Sequence, residues 1–346
     1  MSPPGNRIDQ HAGTLVFTRA DVRRLLTMPE CIDAVEDAFR RHADGHAIPP
    51  GVVGTHVDGG GFHVKTAGLH AMLPLGQPAF VMKVNANFPG NPDRNGLPTI
   101  QGVVALFDAS NGRVLALMDS MEITSIRTAA ATAVAARYLA VDEPAIVTIC
   151  GCGEQSRHQL RALACVRTLR RVYAFDAQPG RARSLATEMG NELGVEAVAV
   201  DDLGAAARQS GIVVTCTPSH EPIVGPSHVV LGTFVAAVGA DNPAKSEIEP
   251  ALMATSTVVT DLTDQCVAIG DLHHAIAAGA MRASDVHAEL AEVICGRKPS
   301  RRSASEIIVF DSTGTALQDV AAATVVYRNA IAAKAGMLID LAGEAA

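Results

Sequence analysis

An acid, a lysine and an arginine in three distant segments are the residues of this chain that could do chemistry together. Asp241 follows the apolar run "FVAAVGA" and precedes "NPAK". An acid just past a buried strand can act as a base or as the counter-ion of an amine. It can equally start the turn at Pro243, since Asp and Asn before proline are turn formers. Both readings stand on residue chemistry alone. Lys83 lies inside the apolar run "AFVMKVNAN", where a charge is costly unless it has a partner or snorkels to solvent. Arg127 is one cation in the early turns of the alanine-rich segment "DSMEITSIRTAAATAVAARYLA". A single arginine on a helix is ordinarily a surface residue.

A second constellation is local. "AIVTICGCGEQSRHQL" reads as strand, glycine turn and helix, with Gly151-x-Gly153-x-x-Ser156 placing serine where the dinucleotide fingerprint has Gly or Ala. Gly151 suits the tight turn and Gly153 the close approach of a pyrophosphate. The helix opened by Glu154 and Gln155 turns its first N–H groups to the negative charge. The next strand, "RVYAFD", ends at Asp176, where an acid can hold ribose hydroxyls and repel a 2′-phosphate. NAD is therefore expected, and Arg181 and Arg183 nearby leave NADP open.

These residues need elements to hold them. From Ala145 onward, "AIVTIC", "VYAFD", "EAVAV", "IVVTCT", "FVAAVG", "VVTDL" and "IIVFDS" alternate with helical or polar stretches. That pattern predicts a Rossmann-type doubly wound parallel sheet over 141–314, the dinucleotide-binding domain. Ligands of such sheets bind beyond the carboxyl ends of the strands. This gathers "TCTPS" with Thr215 and Thr217, "GADNPAK" with Asp241 and Lys245, and "FDSTG" with Ser312 and Thr313 around one crevice. Two cations, an acid and a nicotinamide suggest hydride exchange at the α-carbon of an amino or imino acid.

The remainder, 1–140 with 315–346, is expected to form a discontinuous α+β domain for substrate binding and dimerisation. "TRADVRRLLTMPECIDAVEDAFRRHADG" is patterned as helix, the following stretch through Ala86 as strands, and "GVVALFDASNGRVLALMD" as a hairpin about Asn111-Gly112. Asp119 and Glu122 have capping-box spacing for the alanine-rich helix. The last helix, "ALQDVAAATVVYRNAIAAKAG", has no evident strand after it and is expected to pack back on this domain.

Composition narrows the classes. With 48% apolar residues, 3% aromatics and no tryptophan, the cores must be built from small aliphatic side chains. A net charge of −8 argues against a nucleic-acid partner, and the basic stretches "RRVYAFDAQPGRARS" and "GRKPSRR" read as solvated faces. No run suits a membrane helix, and "MSPPGNRIDQ" lacks the apolar core of a signal peptide. Seven cysteines without a C-x-x-C pair fit a reduced cytoplasmic protein. Cys150-x-Cys152 is a poor zinc site without further ligands. His273 and His274 read as exposed or interface histidines, so no metal is assigned.

The sequence resembles the ornithine cyclodeaminase/μ-crystallin family from about Val22 to Val326. "KVNANFPGNPDRNGLPTIQG", "ALMDSMEITSIRTAAATAVAARYLA", "GCGEQ", "VGADNPAKSE", "AIGDLHHAI", "HAELAEVICGRKPSR" and "IIVFDSTGTALQDVA" carry the likeness. The resemblance implies a homodimer in which Lys83 and Arg127 bind the substrate carboxylate and Thr99 lies in the pocket. It makes Asp241 the acid–base residue, accompanied by Lys245, with Ser312 and Thr313 on the nicotinamide side. Two departures stand out. Gly51 follows Pro49-Pro50 where the family commonly has a carboxylate-binding arginine, and Lys65 is the candidate replacement on a neighbouring strand. His63 stands where ornithine cyclodeaminases place an acid for the distal amine.

These departures favour an amino-acid dehydrogenase or imine reductase acting on a small substrate that can be acidic. A cyclodeaminase, converting ornithine to proline and ammonia with NAD recycled, remains the alternative because Asp241 and Lys245 are both present. A crystallin-type NAD(P)-dependent binding protein is the third reading, and joint retention of Lys83, Arg127 and Asp241 counts against it.

Overall fold

The computed structural model describes residues 13–341, so "MSPPGNRIDQ" and residues 342–346 lie outside the description. Two sheets organise the chain. The first has seven strands in the order Met337–Ile339, Thr14–Phe17, Val114–Asp119, Ile100–Asp108, Ala79–Asn87, Gly60–Leu69 and Ala47–Val57. Apart from the parallel pairing of Thr14–Phe17 with Val114–Asp119, its ladders are antiparallel. The second has eight parallel strands ordered Ala288–Glu289, Thr257–Thr260, Ile308–Asp311, Phe234–Ala237, Ile212–Thr215, Ala145–Cys150, Leu169–Phe175 and Glu196–Ala199. Chain direction across this sheet reverses between Ala145–Cys150 and Ile212–Thr215, which opens a crevice beyond their carboxyl ends.

The alanine helix Ser120–Leu139 joins the two halves. It packs on Met28–Ala43 and the final helix Ala316–Ala333 of one half and on Glu154–Val166 of the other. Ala129, Ala130, Ala131, Ala133, Ala135 and Ala136 are all fully buried. Side chains this small bring three helix backbones close, which is where the low aromatic content is used.

Four local expectations change. The segment 18–45 is two helices, Arg19–Leu25 and Met28–Ala43, because Thr18 with Asp21 and Thr27 with Glu30 each close a capping box. Asp119 caps the alanine helix by accepting from the Met121 and Glu122 N–H groups, but Glu122 turns away to pair with Arg23 at 2.8 Å. The final helix is followed by a strand, Met337–Ile339, on the edge of the first sheet. Ala288–Glu289 adds a short strand to the second sheet that its two residues were too few to signal. Among the described residues no helix is long and apolar enough to cross a membrane.

Candidate active site

At the switch point Gly151 takes φ +89°, a left-handed conformation that suits glycine, and a Cβ there would lie 2.9 Å from the Cys216 carbonyl. Nothing lies within 4 Å of the place where a Cβ of Gly153 would stand, so a ligand can approach that backbone. Gly153 caps Glu154–Val166 with no side chain, leaving the first N–H groups of that helix facing the crevice. Ser156 fits the third fingerprint position because its Oγ folds back 2.6 Å to the Gly153 carbonyl. Asp176 ends the neighbouring strand beside this turn, accepting from the Cys152 N–H at 2.8 Å and the Gln178 N–H at 2.8 Å. Gln155 bridges to the alanine helix through the Ser125 carbonyl at 3.3 Å. An anionic dinucleotide fits this arrangement of exposed N–H groups, bare glycine backbone and strand-end acid.

A cavity of about 380 Å³ continues from this turn between the two sheets. Its second-sheet wall is made by Glu154, Gln155, Thr217, Gly239, Asp241, Lys245, Ser312 and Thr313. Asp241 Oδ1 accepts from Lys245 Nζ at 2.7 Å, and its side chain is 53% accessible because it faces the open cavity. Burial among the cavity walls pushes the Asp241 carboxyl up, but the Lys245 charge and hydrogen bond, with Lys65 and His63, leave it below its ordinary value. It is a carboxylate at neutral pH. His274 donates from Nε2 to the Lys245 carbonyl at 2.8 Å, bracing this loop from behind.

Glu247 lies under that wall. It is fully buried and accepts from Thr215 Oγ1, the Thr217 N–H and Oγ1, and the Gly239 N–H, all between 2.6 and 2.7 Å. Burial and the neighbouring Asp271 push its carboxyl up to about 7. This one side chain ties the ends of Ile212–Thr215 and Phe234–Ala237 together two residues before Asp241. Nothing local marks it, since its donors come from two other segments, Thr215 to Thr217 and Gly239.

The opposite wall is cationic. On Gly60–Leu69 and Ala79–Asn87 the directly paired residues Lys65 and Lys83 share the inward face, as does the next pair on that face, His63 and Asn85. Lys83 is 3% exposed and its Nζ lies 2.6 Å from Oδ2 of Asp319. Arg127 places Nε 3.0 Å from the other Asp319 oxygen and donates from a terminal nitrogen to Gln318 Oε1 at 2.7 Å. Lys65 Nζ donates to the Thr313 and Gly314 carbonyls at 3.1 and 2.7 Å. Gly314 has φ +75°, and a Cβ there would sit 2.4 Å from the Arg127 guanidinium, so glycine is what admits that side chain. Burial and the Arg127 charge drive the Lys83 ammonium down to about 7 despite Asp319. Lys65 is lowered for the same two reasons.

Thr99 does not line this cavity: its neighbour Ile100 does, while the Thr99 carbonyl accepts from the Phe88 N–H at 2.8 Å. Thr215 is likewise turned inward onto Glu247, leaving Thr217 as the threonine of that loop that faces the crevice. His273 and His274 are half-buried rather than exposed, their rings meeting edge to face at 5.2 Å. Gly51 pairs with Thr66, one step from Lys65, and a Cβ there would lie 2.9 Å from the Thr66 hydroxyl. The two cysteines flanking Gly151 are buried thiols, Cys150 raised well above its ordinary range by burial and Glu247, and Cys152 raised to about 12 by burial and Asp176. Among the described residues no group of three or more His, Cys, Asp or Glu side chains could hold a metal. Asp319, Gln318 and Glu247 are the members of the site that sequence reasoning missed.

Known proteins share this architecture. An archaeal alanine dehydrogenase dimer with bound NAD superposes with a TM-score of 0.89 at 36% identity, covering 95% of this chain and 99% of that one. A Thermococcus litoralis Δ1-pyrroline-2-carboxylate reductase in complex with NADH and L-proline gives 0.89 at 31% identity, over 94% of this chain and 100% of its own. The iminosuccinate reductase of Paracoccus denitrificans in complex with NAD+ gives 0.87 at 31%, over 95% and 100%. The profile of the ornithine cyclodeaminase/mu-crystallin family matches residues 13–334. With this fold shared over nearly its whole length and the profile matched from residue 13 to 334, the chain belongs to the ornithine cyclodeaminase/mu-crystallin family.

Proposed function

We propose that the protein is an NAD-dependent amino-acid dehydrogenase or imine reductase acting on a small α-amino acid or its imine. The observation that carries this reading is the asymmetry of the cavity. Lys65, Lys83 and Arg127 stand on one wall, and Asp241 faces them from the other. The cations hold the α-carboxylate, and the Asp241 carboxylate sits toward the nitrogen, steadying a protonated imine or taking a proton from an amine. Lys245 holds Asp241 ionised and oriented. When bound, NAD supplies hydride chemistry at the substrate α-carbon; Gly151, Gly153, Glu154, Gln155, Asp176, Thr217, Ser312 and Thr313 would hold it.

A diamine substrate fits less well. His63 is the side chain at the place of the expected acid, and burial lowers its imidazole while Asp241 opposes that shift, so it is neutral near pH 7 and offers an ammonium no charge. The Asp241–Lys245 pair supports cyclodeaminase chemistry as the second reading.

The residues 13–140 and 315–341 form the substrate and dimerisation half, and 141–314 the dinucleotide half. A homodimer is supported by Val53, Val64, Val84 and Val103, which stand in one line across four strands on the outward face, with Val53 64% and Val103 38% exposed. Seven free cysteines accord with a cytoplasmic setting.

The test is NADH absorbance with pyruvate or oxaloacetate plus ammonia, and with cyclic imines. Net oxidation with one partner supports the dehydrogenase or reductase. Ornithine converted to proline and ammonia with only catalytic NAD would replace it with the cyclodeaminase.

A further inference from the structure

We propose that Asp319 is the positioning residue of the carboxylate clamp: it holds Lys83 with one oxygen and Arg127 with the other, leaving the substrate carboxylate to serve as the second anion. The geometry comes first. Asp319 lies in the first turn of Ala316–Ala333, where the helix dipole favours an acid, and it is fully buried. Its oxygens are 2.6 Å from Lys83 Nζ and 3.0 Å from Arg127 Nε. Gln318 occupies a further Arg127 nitrogen, so neither cation can swing without losing a partner.

Charge gives the arrangement its purpose. Lys83 is faced by Asp319 from the final helix, Arg127 from the alanine helix and Lys65 from the adjacent strand. Cys31 on Met28–Ala43 adds no charge, because burial raises its thiol. Asp241, across the cavity, is matched by Lys245. The buried wall therefore holds three cations and one carboxylate. Buried ions are stable only when paired, so the unmatched charge makes a place for an anion. Lys83 can shed its proton, and a carboxylate bound beside it restores that proton. The sign follows from a Lys83 value near 7: the clamp is fully charged below that pH, and carboxylate affinity falls as pH rises through it.

This rests on the proposed function only in requiring a carboxylate ligand. The experiment titrates the NADH-loaded enzyme with pyruvate, and with oxalate as a second probe, across neutral pH, reading the quenching of NADH fluorescence. Wild type should show affinity declining through about pH 7. Asp319→Asn should weaken the probe about tenfold or more at neutral pH, because Lys83 without its anion sheds its proton and both cations lose their fixed place, and move the decline to lower pH with NADH affinity unchanged. Asp319→Glu should restore much of both. Lys83→Arg, which does not titrate in this range, should abolish the decline. A scaffolding aspartate would lower the melting temperature and leave the pH decline where it was, which overturns the proposal. So does a decline that persists in Lys83→Arg, a measurement available even if Asp319→Asn does not fold. Failure of wild type to bind either probe at millimolar concentration overturns it as well. If the probes bind as expected but no keto acid with ammonia oxidises NADH, the redox reading falls and Asp319 keeps its role.

Discussion

The two walls of the cavity recognise their ligands by different means. The second-sheet wall works largely with backbone: a bare glycine turn, the open N–H groups of one helix and loops at strand ends. Its two aspartates, Asp176 and Asp241, are partly open to solvent. The first-sheet wall works with buried ions, Lys83, Arg127 and Asp319, drawn from a strand and two helices far apart in the chain. The first kind of surface suits a large invariant cofactor, because every peptide has an N–H to offer. The second suits a small carboxylate, whose binding depends on where two or three charges stand in a dry site.

That contrast can be broken at several points. The largest effect is expected from Lys83→Ala, which leaves Asp319 buried with half its partners. Loss of about 3–5 kcal/mol of stability should show in urea unfolding, together with a collapse of kcat/KM; a variant of ordinary stability would mean that the wall is looser than its distances indicate. Asp241→Asn should cut turnover by roughly 10²–10⁴-fold and leave NADH affinity intact. Near-normal turnover would return Asp241 to the role of turn starter before Pro243. Asp176→Ala should shrink the preference for NAD over NADP by about tenfold, the loss of one charged contact, measured as the ratio of kcat/KM for the two cofactors. A preserved ratio would move ribose recognition elsewhere. The smallest change belongs to Thr99→Ala, since that side chain lies outside the cavity lining. Its steady-state constants should match wild type, and a large rise in KM would put Thr99 back in the pocket.

Local pattern was legible where local physics decides. The glycine turn, the strand before it and Asp176 after it lie in one stretch, so spacing alone described them. The hairpin at Asn111-Gly112 was equally plain, Gly112 taking φ +80°. Lys83 was conspicuous because it interrupts an apolar strand. Asp319 was hidden for the opposite reason: an acid in the first turn of a helix is ordinary, and only its partners make it unusual. Thr215 and Thr217 look alike in "TCTPS", and what separates them is Glu247, which binds both but leaves only Thr217 on the cavity.

By itself, then, the sequence determined the parallel sheet, the nucleotide turn and the set of charged residues available for chemistry, because periodicity, glycine spacing and an out-of-place charge are properties of short segments. Tertiary structure alone decided which way the strands face, that Lys65 stands beside Lys83, and that both meet Arg127 across from Asp241. Facing flips with a one-residue shift of register, and an ion pair between distant segments leaves no mark on either until the fold brings them together.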